Sequence, residues 1–123
     1  MYSMLSKWHA KYGDKVEILL YPSDEFGGQE LPSAEVPGFV KSQGLPTDGG
    51  GCTLMDKVKV NGGNADPLWT LVKKKFPGDV GWNFAGIFTF DAHGEVTGRF
   101  DANQLPQVSA HLEKLVAEAK QEL

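Results

Sequence analysis

The side chains able to do chemistry on this chain are few and far apart. Cysteine occurs once, as Cys52, so no disulfide can close within the chain and no cysteine-rich metal site can form. The three histidines, His9, His93 and His111, fall on a helix, a turn and another helix without ligand-like spacing. Structural or surface roles are therefore expected of them, and neither a metal nor a bound cofactor is. Gln29 follows Gly27 and Gly28, and Trp82 precedes Asn83. An indole N–H can only donate, while carboxamides carry donors beside acceptors. Taken singly, each has a plainer reading. A glutamine after two glycines is an ordinary polar loop residue, and Trp-Asn at the start of a strand is core followed by turn.

The elements that must carry these residues follow from periodicity. Leu5, Trp8, His9 and Tyr12 recur at helical spacing and Gly13 stops the run. Residues 16–21 form an apolar, β-rich stretch ended by Pro22, the pattern of a buried strand. The loop 22–32 contains SDEFGGQE, shaped by Gly27 and Gly28. Ser33 is placed to cap a short helix reaching about Gln43, weakened by Pro37 and Gly38. A glycine-rich loop over 44–51 follows. Residues 55–60 alternate apolar and charged as a half-buried strand does, and Asn61, Gly62 and Gly63 end it. Asp66 and Pro67 supply an N-cap and first helical position. Leu68, Leu71, Val72 and Phe76 then make an apolar face, and Lys73, Lys74 and Lys75 read as a solvated helix end. Residues 85–90 and 95–100 predict two strands joined by the Asp91, Ala92, His93, Gly94 turn. The last helix presents Val108, Leu112, Leu115, Val116 and Ala119 on one face. Helices alternating with strands in this order predict one layered α/β domain over residues 1–123, with a mixed sheet.

Composition narrows the function classes. A chain of 123 residues with 41% hydrophobic and 11% aromatic residues can form one core but not two domains. A formal charge of −4 and a pI of about 5.3 give no positive field for phosphate backbones or anionic lipid, so nucleic acid is not expected as a partner. No apolar run has the length of a membrane span or the form of a secretory signal. A soluble, cytoplasmic product is the expectation, with organelle targeting left to any segment ahead of Met1.

Three stretches in order carry more information than any one of them: ILLYPSDEFGGQE from Ile18, DKVKVNG from Asp56 and WNF from Trp82. With ADPLWTLVKKK and the hairpin ending in GRF between and after them, they resemble the glutathione peroxidase family over essentially the whole chain. The resemblance implies a thioredoxin-like mixed sheet flanked by helices, here without its N-terminal strands. It implies that Gln29, Trp82 and Asn83 surround a peroxidatic selenocysteine or cysteine, whose anion their N–H donors would stabilise without adding charge. That nucleophile has no counterpart among these residues; the family's NVASxCG-like motif would precede Met1. The chain departs from the family's FPCNQFGGQE pattern, with Tyr21, Ser23, Asp24 and Glu25 in place of Phe, Cys, Asn and Gln. Cys52 falls in the region where some thioredoxin-dependent members keep a resolving cysteine, but its neighbours do not match that motif. A free thiol is expected, with a resolving role as the alternative.

The implied chemistry is the reduction of hydrogen peroxide or organic and lipid hydroperoxides, an antioxidant function in oxidative stress. Glutathione or thioredoxin would be the reducing co-substrate. The short connection from Phe76 to Trp82 resembles the compact, often monomeric branch that can accept bulky lipid hydroperoxides. A non-catalytic thioredoxin-fold interaction or regulatory protein is the alternative. Without a central strand the isolated chain is expected to aggregate, to need a partner or to fold marginally.

Overall fold

The computed structural model describes residues 2–23, 34–63, 65–81 and 86–121, grouped into two compact units, Met1–Lys59 and Val60–Leu123.

In the first unit, helix α1 (Tyr2–Tyr12) buries Leu5, Trp8 and Tyr12, the i, i+3, i+7 stripe that its spacing predicts. It ends where Gly13 turns to φ +59, and a single 3-10 turn, Gly13–Lys15, leads to strand β1 (Ile18–Leu20). Helix α2 (Val36–Ser42) is the crossover to strand β2 (Cys52–Leu54), which pairs parallel with β1 in the register Ile18 to Cys52, Leu19 to Thr53 and Leu20 to Leu54. Proline stands in the first turn of α2, where its missing N–H costs nothing. Its N-cap is Glu35, with no side-chain cap bond, while Ser33, the expected cap, lies outside the described residues. The Ser6 hydroxyl donates to the Gln43 carbonyl and ties the end of α2 to α1. Val40 and Cys52, both fully buried, and Leu45 complete this core.

Two expectations change here. The strand expected over 55–60 is instead β2, and residues 55–60 hold no ladder. Met55 N donates to Leu20 O at 2.8 Å and Val58 N to Pro22 O at 2.9 Å, but Pro22 has no N–H to return. Alternation without a reciprocating partner leaves an extended segment rather than a strand. Nor is β1 buried throughout: Leu19 is 45% exposed, because among the described residues β1 has a single strand neighbour.

In the second unit, Asp66 caps helix α3 (Pro67–Lys75), its Oδ1 accepting from Leu68 N at 3.0 Å. The buried face turns on Val72 and on Trp69, whose ring meets Phe88 edge-on at 5.5 Å. Leu71, expected on that face, is 58% exposed. The lysines also differ from a solvated end: Lys73 Nζ donates to Val60 O at 2.5 Å and Lys75 Nζ to Val96 O at 2.8 Å. Long stems lie along the unit while their heads cap carbonyls; Lys74 stays exposed.

Strands β3 (Ile87–Phe90) and β4 (Val96–Phe100) form the expected antiparallel hairpin, with a bulge after Thr89. Asp91 sets its turn, accepting from His93 N at 2.9 Å and Glu95 N at 3.0 Å, and Gly94 takes φ +84. A capping box on Asp101 and Gln104 starts the last helix, α4 (Leu105–Gln121). Val108 is its most buried residue, and His111 Nε2 meets Thr97 Oγ1 at 2.9 Å. Helices alternating with one parallel and one antiparallel strand pair give the mixed α/β content of the expected thioredoxin-like fold.

Candidate functional site

Gln29, Trp82 and Asn83, the donors that the resemblance singles out, lie outside the described residues. What the structure describes is the chain that delivers them. On the way to Gln29, Pro22 and the buried Ser23 follow β1. Pro22 also borders an open groove of about 630 Å³ whose rim mixes Lys41 and Lys57 with Asp48 and Asp56 over Leu54 and Met55.

The approach to Trp82 is held much more firmly. After α3, residues 76–80 contain Pro77 and Gly78 and form no helix or strand, so their carbonyls need donors from elsewhere. Arg99 on β4 supplies them. Its Nη1 shares two N–H groups among the carbonyls of Phe76 at 2.9 Å, Pro77 at 3.1 Å and Gly78 at 2.8 Å, and its Nη2 donates to Asp79 O at 3.1 Å. A guanidinium carries five N–H donors in a fixed plane, which suits a curved row of carbonyls. The Phe88 ring lies 5.3 Å below it.

Asn61 takes the next residue. Its Nδ2 donates to Val80 O at 2.7 Å and its Oδ1 accepts from Val80 N at 2.7 Å. A carboxamide thus pairs with one backbone residue as a strand neighbour would. Lys73 supports it, reaching Asn61 Oδ1 at 3.4 Å and Asp79 Oδ1 at 3.8 Å. Since Asp79 is exposed, that ion pair adds little. Five consecutive residues entering Trp82 are thereby fixed by two side chains distant in sequence. Sequence reading took Asn61 only as a strand end and Arg99 only as part of the hairpin; their presence inside the DKVKVNG and GRF stretches was the available signal.

Cys52 is a different kind of site. Its side chain is fully buried at the start of β2, and burial pushes its thiol up to about 11, with the Glu17 carboxylate acting in the same direction. That carboxylate binds both of its neighbours, Gly51 N at 3.3 Å and Thr53 Oγ1 at 3.0 Å. At neutral pH roughly one such thiol in ten thousand is ionised, and the thiolate is the reactive form. In this conformation Cys52 is chemically quiet. Among the described residues no group of three or more His, Cys, Asp or Glu side chains is placed to hold a metal ion, and no helix is long and apolar enough to cross a membrane.

No protein-family model matches the chain. Individual proteins do. Glutathione peroxidase 1, mitochondrial, of Chlamydomonas reinhardtii is 39% identical over 104 residues, covering 82% of this chain and 49% of that protein. A probable phospholipid hydroperoxide glutathione peroxidase of Nicotiana sylvestris is 36% identical over 110 residues, 85% of this chain and 63% of the relative. The phospholipid hydroperoxide glutathione peroxidase of Sus scrofa is 33% identical over 115 residues, 87% and 55% respectively. The chain therefore spans 49–63% of the length of these relatives, less than two thirds of each. Identity at this level across more than four fifths of the chain, in three proteins from an alga, a plant and an animal, places the chain in the glutathione peroxidase family.

Proposed function

We propose that the protein is a thiol-dependent peroxidase reducing hydrogen peroxide or organic and lipid hydroperoxides. The observation that carries this reading is the sustained identity to proteins named glutathione peroxidase over 82–87% of the chain. Two of those names specify phospholipid hydroperoxide, which supports bulky lipid hydroperoxides among the substrates. The short connection of residues 76–81 between α3 and Trp82 supports the compact, monomeric branch.

In this reading Gln29, Trp82 and Asn83 donate to one peroxidatic sulfur or selenium. The anion attacks the terminal peroxide oxygen, the O–O bond breaks, and the departing alkoxide takes a proton to leave as an alcohol. The chalcogen is oxidised to a sulfenic or selenenic acid. A first thiol condenses with it, releasing water, and a second thiol reduces the resulting mixed disulfide or selenosulfide to regenerate the starting group. Glutathione would supply both thiols singly, thioredoxin as a dithiol. Neutral donors suit the first step because they stabilise the anion without holding it in an inert ion pair. Buried Cys52, with its raised pKa, does not suit the attacking role, and the reading assigns that atom to a residue outside these 123.

The test is steady-state turnover by the polypeptide translated from the complete transcript, with hydrogen peroxide or a phospholipid hydroperoxide and with glutathione or thioredoxin. Turnover with at least one pair is expected. No turnover with any pair overturns the reading.

A further inference from the structure

The residues on either side of 82–85 are locked to each other and to the rest of their unit. Val80 is 5% exposed. A Cβ placed on Gly86 would come 2.7 Å from Val80 Cγ2 and 3.2 Å from Trp69 Cζ3, so the Val80 side chain packs directly on the Gly86 backbone. Neither side chain nor backbone of Val80 is free to shift: the Asn61 carboxamide holds its N–H and its C=O, each at 2.7 Å. Lys73 anchors Asn61 in turn through Val60 O and Asn61 Oδ1. Arg99 immobilises the four carbonyls before it.

We propose that Asn61 is the positioning residue for Trp82 and Asn83. It holds both backbone polar groups of Val80, two residues before Trp82, while Arg99 fixes the residues that lead in. The functional consequence rests on the reading that Trp82 and Asn83 donate to the peroxidatic atom; the structural consequence does not. Two features favour a dedicated role over incidental packing. A loop carbonyl near the surface can be satisfied by water, whereas Asn61 takes both polar groups of one buried residue. And only an amide can do so, because Asp, its isostere, keeps the acceptor while losing the donor.

The test uses the complete protein labelled with nitrogen-15, reading Val80 amide exchange and the Trp82 indole resonance, the latter assigned with Trp82→Phe. Asn61→Ala removes both bonds. Val80 exchange is expected to quicken by roughly five- to tenfold, and the Trp82 indole signal to move or broaden, while the Trp8 indole signal stays in place. Asn61→Asp should keep Val80 protected within about threefold and still move the Trp82 signal. An unchanged Val80 rate or an unmoved Trp82 signal in Asn61→Ala overturns the proposal. Where Asn61→Ala fails to fold, an unmoved Trp82 signal in Asn61→Asp does the same. Failure of the catalytic reading shows elsewhere, as full hydroperoxide turnover by Trp82→Phe in the complete protein.

Discussion

At the scale of single residues, environment rather than residue type decides what each group can do. Cys52 is the chain's one thiol, yet burial and the adjacent Glu17 raise its pKa to about 11, so the folded state holds it protonated. A raised folded pKa contributes stability that is fully present below the unfolded thiol value, about 8.5, and is lost as pH rises through about 11. Two outcomes follow. A disulfide reagent such as DTNB at neutral pH should label native Cys52 at least about a hundredfold more slowly than the unfolded chain. Thermal stability should also fall between those pH values more steeply in wild type than in Cys52→Ser. Rapid labelling of the native chain would show the thiol to be accessible and return it to consideration as a resolving residue. Tyr2 shares this environment, its phenol raised by burial and by Cys52.

At the scale of elements, the sequence predicted those whose signals are local. The Asp66 and Pro67 start of α3 rests on one side chain and one ring, and the cap bond is present at 3.0 Å. Asp66→Ala should therefore cost about 1 kcal/mol in chemical denaturation, with no change in the hairpin. The β3–β4 turn was legible for the same reason, since Asp91 and Gly94 specify it within five residues. Elements that depend on a distant partner were not. Residues 55–60 have the alternation of a strand, but what they lie against ends in Pro22, which cannot donate. The pairing instead falls on Cys52–Leu54, where Gly51 comes so close to Gly13 O that a Cβ would stand 2.5 Å from it. Likewise the face of α3 was misjudged at Leu71 because helical spacing cannot say which edge of an apolar stripe meets solvent.

At the scale of the molecule, family and fold class were legible because ordered motifs carried them, and the comparisons agree. The candidate site was legible only as residue types. Gln29, Trp82 and Asn83 were named from the resemblance, whereas the framework that holds the approach to Trp82 was not. Asn61 and Arg99 act on backbone groups 19 to 23 residues away, a separation at which no periodicity survives.

In the proposed function these three donors serve one anion. The most direct measurement is the second-order rate of hydroperoxide reduction by the complete protein in wild type, Gln29→Ala, Trp82→Phe and the double variant. Each single change should slow the reaction by about a hundredfold, and the double by clearly less than the product of the two, as for groups sharing one atom. Wild-type rates in both single variants would contradict it.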